Sequence, residues 1–260
     1  MMMPSSWVAT AVAIGVAMTG LWLLSLRLRD VSIVDAFWGL GFVAIAWITL
    51  GLSGGVAPRA GLAAGLTTLW GVRLAGYLAW RNHGKGEDPR YAAMRRRHGE
   101  AWPVRSLLVV FGLQGALMWV VSLPVQAAVR APPGTLGALD VAGAALVVAG
   151  VMFEGVGDLQ LARFKREPQS RGKVMDRGLW RWSRHPNYFG DFLVWWGLFA
   201  IAAGAGAWWT ALSPALMSFL LLRVSGVTLL ERSLRKRPGY EDYVRRTSAF
   251  FPWPPRRGAG

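Results

Sequence analysis

Four short segments carry side chains whose types and spacing could do chemistry. In Ser183-Arg184-His185-Pro186-Asn187-Tyr188-Phe189-Gly190-Asp191, Pro186 suits the first turn of a helix, so Asn187 and Asp191 stand four apart on one face. An amide and a carboxylate on one face can hydrogen-bond a carboxamide or amine lying across them, and Gly190 lets a helix or ligand come close. In the stretch from Gly157 to Lys165, Asp158 and Lys165 lie two helical turns apart, about 10.5 Å on one face. That pair could bracket a nucleotide, with the carboxylate on a ribose or amide and the cation on a phosphate. It reads equally as a snorkelling lysine beside an unrelated buried acid. In the stretch from Arg81 through Asn82 to Tyr91, Gly84 and Gly86 flank Lys85 and could expose backbone N–H groups and an ammonium to a phosphate. This is not a Walker loop, and no G-x-G-x-x-G follows a strand. Finally, Asp35 stands beside Trp38, Gly39 and Gly41 in an apolar run. A carboxyl there suits a proton donor or a neutral hydrogen-bond partner, and an ion pair with Arg73 is the alternative.

The elements that must position these groups follow from composition. The chain has 260 residues, 53% of them hydrophobic, a mean hydropathy of +0.34, 15 tryptophans and no cysteine. Its 17% charged residues fall short of the about 25% of a soluble domain. Disordered, collagen-like and disulfide-stapled classes are excluded by the apolar content, the scattered glycines and the absence of cysteine. Without cysteine, thiol catalysis, iron–sulfur clusters and cysteine–zinc sites are impossible. Three histidines are too few for histidine-rich di-iron oxygenases, and no metal is expected.

Apolar runs of about 20 residues read as membrane helices. Seven are expected: Trp7–Leu26, Ser32–Leu52, Ala60–Trp80, Leu107–Ala128, Gly137–Leu161, Asn187–Ala207 and Trp209–Leu230. The expectation is thus an all-α polytopic membrane protein, a single integral-membrane domain over 1–260 without a Rossmann domain. Most of the 29 lysines and arginines fall in alternate segments, after spans 1, 3, 5 and 7. Cytosolic loops collect such residues, so the N-terminus is expected outside and the C-terminus in the cytosol. The net charge of +15 is then mostly topology, and no nucleic-acid partner is expected.

Ionisable residues inside membrane spans are costly and mark function by default. Here they are Asp35, Arg73, Glu154, Asp158, Asp191 and Arg223, with Tyr77, Gln114, Gln126 and Asn187 as uncharged companions. Counted at 1.5 Å per residue, all six charges fall within roughly 14 Å of the cytosolic edge. A polar cavity opening to the cytosol is the economical explanation. A transporter would carry polar groups along its whole path. Structural salt bridges among the six are the competing account.

Taken together, the patterns D-x-x-W-G-L-G-F, W-G-x-R-L, R-N-x-G-K-G-E-D-x-R-Y, D-L-Q-x-x-x-F-K and S-R-H-P-N-Y-F-G-D resemble the DUF1295 group, related to the steroid 5-alpha-reductases. The likeness runs from about Asp35 to Trp253, with most cofactor motifs in 137–254. It implies a seven-span enzyme holding NADPH in a cytosol-facing cavity and passing hydride to a carbon–carbon double bond conjugated to a carbonyl. The substrate would be a steroid-like or other lipophilic molecule entering from the bilayer, and membrane lipid would be the surrounding partner. By motif match, Asn187 and Asp191 would lie near the nicotinamide, and Arg184, His185 and Tyr188 of the same motif would also bind the cofactor. Asp158 and Lys165 would meet the adenosine or phosphate part, and Asn82, Lys85 and Lys173 would contribute from loops. The steroid reductases polarise the substrate ketone with a glutamate in span 2 and a tyrosine in span 3. Asp35 could replace the glutamate. Gly71 or Trp70 falls at the tyrosine position, so Tyr77 or Arg73 would act instead. R-H-P-x-Y also occurs in isoprenylcysteine carboxyl methyltransferases, which keeps an S-adenosylmethionine-dependent membrane methyltransferase as the alternative. Alanine- and arginine-rich usage with short loops suits a bacterial inner membrane.

Overall fold

The computed structural model describes residues 5–224, 231, 234, 235 and 237–256. Among them the secondary structure is helical, with one isolated bridge between Ser183 and Ser248. The helices are α1 (Ser5–Leu28), α2 (Ile33–Gly51), α3 (Pro58–Asn82), α4 (Pro89–Val121), α5 (Leu123–Val129), α6 (Ala138–Arg166), α7 (Pro186–Gly204), α8 (Trp208–Val224) and α9 (Tyr240–Arg246). Four of them, α1, α2, α4 and α6, are long and apolar enough to cross a membrane, and α8 is a shorter apolar helix. Helix covers most of the described part of every expected span, but length and apolarity together single out four rather than seven. The last six residues of the expected span Trp209–Leu230 lie outside the described residues.

The run expected as one span over Leu107–Ala128 is two helices. Pro124 sits in the first turn of α5, where a missing N–H costs nothing but cannot continue the preceding ladder. Conversely, α4 begins well before Leu107. Asp88 caps it by accepting the Arg90 N–H at 2.8 Å, and Pro89 supplies the pre-set first turn. Much of the basic segment expected as a loop is therefore helix.

The chain packs as two compact units, residues Met1–Val141 with Ile201–Thr210, and Ala142–Ala200 with Ala211–Gly260. In the first, α2 and α3 touch backbone to backbone. A Cβ on Gly71 would lie 2.5 Å from the Gly39 carbonyl oxygen, so only glycine allows this approach. Phe42 and Trp70, both fully buried, pack edge to face beside it. A buried polar chain ties α1 to α4 and α5: Thr10 donates to Gln126 Oε1 (2.9 Å), Gln126 Nε2 to Ser122 (2.8 Å), and Trp119 Nε1 to Thr10 (3.2 Å). Arg59 at the start of α3 grips Asp140 with two parallel bonds of 2.7 and 2.8 Å. Asp140, fully buried, also accepts the Gly137 N–H. The sequence reading left Asp140 out of its buried charges.

In the second unit α6 and α7 run antiparallel along a glycine seam. A Cβ on Gly197 would lie 2.6 Å from the Gly143 carbonyl oxygen, and one on Gly190 would lie 2.5 Å from both the Gly150 carbonyl oxygen and the Glu154 nitrogen. Gly157 meets Pro186 and Asn187. Gly190→Ala should therefore force the helices apart and cost about 1–3 kcal/mol of stability. Gly15→Ala, where nothing lies within 4 Å, should be neutral or slightly stabilising. Thermal unfolding in detergent compares the two.

Candidate functional site

The first unit builds a carboxylate–phenol cluster at the start of α2. The turn before α2 is latched to the loop before α4. Glu87 accepts the Val31 N–H (3.0 Å) and two Arg95 donors, and the Asp88 N–H donates to Ser32 Oγ (2.6 Å). Burial pushes the Glu87 carboxyl up, but the Arg95 and Val31 hydrogen bonds outweigh it and hold it below its ordinary value. This latch fixes α2 against the first turn of α4. Tyr91 Oη then donates to Asp35 Oδ1 at 2.8 Å, Arg90 Nη2 reaches Asp35 Oδ2 at 3.2 Å, and Gln114 Nε2 donates to Tyr91 Oη at 3.2 Å. Arg90 is oriented in turn by Asp88. Tyr91 is buried.

The other residues expected to act on substrate lie along α3. The Arg73 and Arg81 guanidiniums stand 5.6 and 5.9 Å from the Tyr77 ring centroid, a cation–π ladder at four-residue spacing. Arg81 donates to Asn82 Oδ1. Lys85 is exposed, between Gly84 and Gly86, both with positive φ. Sequence reasoning quoted Tyr91 but gave it no role. The available signal was its place in the first turn of a helix opened by Asp88-Pro89, five residues after Gly86.

The second unit builds an amide–carboxylate cluster on the glycine seam. Asn187 Nδ2 donates to Asp158 Oδ1 at 3.1 Å. Glu154, Asp158 and Asp191 are all buried, with Asp191 one turn beyond Asn187. Lys165 and Lys173 are exposed. Asp158 and Asn187 are thus brought together, and the side chains are right in kind for a carboxamide and a ribose.

Arg184 and His185 sit in a clamp. Arg184 Nε donates to Glu231 Oε1 (2.7 Å), and its Nη1 to the carbonyls of Thr247 (2.7 Å) and Val244 (3.2 Å). His185 Nε2 lies 3.3 Å from the same Glu231 oxygen, and its ring stacks on Tyr188. Ser183 Oγ donates to the Phe250 carbonyl, and the Arg184 N–H to that of Ser248. These bonds hold the segment after α9 against the R-H-P-N-Y motif, which explains most of the donor capacity of Arg184. Arg223, expected inside a span, is exposed on the surface of α8.

Burial raises the Glu231 carboxyl, but hydrogen bonds from His185 and Arg184 outweigh it and hold it at about 2. A carboxylate lowered in the folded state stabilises above its unfolded value and loses that contribution as pH falls through the folded one. The clamp should therefore weaken from about pH 4.5 down to about pH 2. Glu231→Gln should mimic the acid state at neutral pH, costing about 1–3 kcal/mol because the pair is only partly buried. Limited proteolysis of the C-terminal segment across this pH range reads the effect.

An all-helical membrane chain with a buried acid–amide seam in one unit and a carboxylate–phenol pair in the other defines the class. The chain belongs to the DUF1295 family, described as a protein of unknown function, whose pattern matches residues 21–247. It is also similar to the uncharacterized protein C594.04c of Schizosaccharomyces pombe, 26% identical over 89% of this chain and 75% of that one. No solved structure matches it.

Proposed function

We propose that this chain is an integral-membrane, NADPH-dependent reductase that passes hydride to a carbon–carbon double bond conjugated to a carbonyl in a lipid-soluble substrate. The observation carrying this reading is the Asp158–Asn187 hydrogen bond at the glycine seam with buried Asp191 one turn away. Such a set matches the donors and acceptors of a carboxamide. When bound, NADPH supplies the hydride. Within the second unit, Asn187 and Asp191 would orient the carboxamide, Asp158 would hold an amide or ribose hydroxyl, and Lys165 and Lys173 would meet the phosphates and sugar.

We give carbonyl polarisation to Tyr91 with Asp35. Tyr91 Oη is hydrogen-bonded to Asp35, whereas Arg73 and Tyr77 stack on one another along α3. As hydride reaches the β-carbon, negative charge develops on the carbonyl oxygen. Tyr91 Oη, which donates to Asp35 Oδ1 in the resting site, would turn that one proton to the carbonyl oxygen. The Gln114 amide that donates to Oη would steady the phenolate left behind, and a solvent proton would restore the phenol. Gln114 and Arg90 keep the pair aligned. The surrounding membrane is assigned as a bacterial inner membrane, with the C-terminus cytosolic.

Cofactor binding tests this directly. NADPH should raise the unfolding temperature of the detergent-purified chain, since a ligand selective for the folded state adds RT ln(1 + [L]/Kd). At a hundredfold excess over Kd that is about 2.7 kcal/mol. Asn187→Ala with Asp191→Ala should abolish the shift. Stabilisation by S-adenosylmethionine instead would replace hydride transfer with methyl transfer.

A further inference from the structure

Beside the R-H-P-N-Y clamp, on the side of the segment after α9, the second unit holds a cavity of about 500 Å³ walled by Asp176, Arg177, Gly178, Arg181, Arg246 and Arg256, among others. A smaller cavity of about 320 Å³ adjoins it, sharing Arg246 and Arg256 and reaching Trp253. Four guanidiniums face one carboxylate. Among the described residues only part of that charge is answered: Arg246 lies 3.3 Å from Asp176, and Arg177 pairs with Glu167 at 2.6 Å. Arg256 is pinned at the rim because its N–H donates to the Arg246 carbonyl at 2.9 Å. Gly178, with φ +61°, takes the sharp turn between Arg177 and Arg181, and a Cβ there would strike Gln160. The cleft is therefore shaped by backbone, and its excess charge is cationic.

A second observation says what fills it. Trp182, Phe251 and Trp253 are 45%, 59% and 70% exposed, and the Trp253 N–H donates to the Trp182 carbonyl at 3.0 Å, which joins the two tryptophans. Large aromatic rings left on a surface beside arginines are the signature of the membrane–water interface, where indole sits at headgroup depth. Guanidinium forks at that depth match a phosphate diester with two parallel bonds.

We propose that this arginine cleft is a binding site for the phosphoryl headgroup of an anionic phospholipid, with Trp182, Phe251 and Trp253 seated in the interface around it. The wall of the larger cavity contains none of the residues given to the cofactor, and the site anchors the segment that Arg184 and Glu231 clamp.

The test is thermal unfolding of the full chain in nanodiscs of phosphatidylcholine alone or with phosphatidylglycerol. The anionic lipid should raise the midpoint by about 4 °C or more. Arg177→Gln, Arg181→Gln and Arg256→Gln combined should remove that rise. Asp176→Asn, which deletes the one carboxylate in the cavity wall, should enlarge it, and this variant decides the matter if the triple variant does not fold. A phosphatidylglycerol rise that survives the triple variant, or that Asp176→Asn leaves unchanged, would overturn the proposal. So would stabilisation by inorganic phosphate or NADPH that needs these three arginines while phosphatidylglycerol has no effect. The NADPH shift of the triple variant should equal that of the parent chain, so failure of the cofactor reading and failure of the lipid site read out separately.

Discussion

Tyr91→Phe should lower kcat for a conjugated enone by about 10²- to 10⁴-fold while leaving KM and the NADPH-induced thermal shift nearly unchanged. The phenol ring packs where it did, so the fold is kept. What disappears is the one hydroxyl bonded to both Asp35 and Gln114. Because the carbonyl oxygen becomes strongly basic only as hydride arrives, the loss falls on the transition state rather than on binding. Asp35→Asn should cost a similar factor, and the double variant little more, since the two act as one unit. If Tyr91→Phe keeps full turnover while Tyr77→Phe loses it, polarisation belongs to α3 instead. Steady-state kinetics on a panel of lipid-soluble enones measures all of these.

The largest stability effect is expected far from that cluster. Arg59→Ala leaves Asp140 fully buried with its bidentate partner gone. An uncompensated buried charge of this kind costs about 3–5 kcal/mol. For a chain of this size that is roughly 10 °C in unfolding temperature. Replacing both partners, Arg59→Leu with Asp140→Leu, should recover most of the loss, because two apolar side chains remove the desolvation penalty along with the attraction. A double variant no more stable than Arg59→Ala would mean that the Gly137 bond to Asp140, and not the ion pair, holds this end of α6.

Much of the architecture was legible in the sequence because apolar runs of about 20 residues have one physical solution in a bilayer. Asp158 and Asn187 were legible too, as chemically suited groups on helices whose glycines announced close packing. The helix break at Pro124 could be read from its missing N–H, yet the uniform hydropathy on both sides of it concealed the break. Tyr91 and Asp140 were hidden for a different reason. Each acquires its role from a partner in another helix, Asp35 56 positions away for Tyr91 and Arg59 81 positions away for Asp140, and no local periodicity records that pairing. Arg184 misled in the opposite sense. It stands in the densest motif, where charge invites a ligand, but its donors meet Glu231 and two backbone carbonyls.

The glycine seam of α6 and α7 has a consequence for the uniqueness of the fold. Its glycines recur every seven residues, Gly143, Gly150 and Gly157 against Gly197 and Gly190. A slide of one heptad, about 10.5 Å, would lay Gly157 on Gly190 and Gly150 on Gly197, as smooth a contact as the native one. Backbone shape alone is therefore degenerate between two registers. In the slid register Asp158 would face Val194 rather than the Asn187 amide, a carboxylate against a branched alkyl group in a medium without water. The Asp158–Asn187 bond thus works as a key that fits one notch of a repeating track, and Asn187→Val should blur the register before it unfolds the chain.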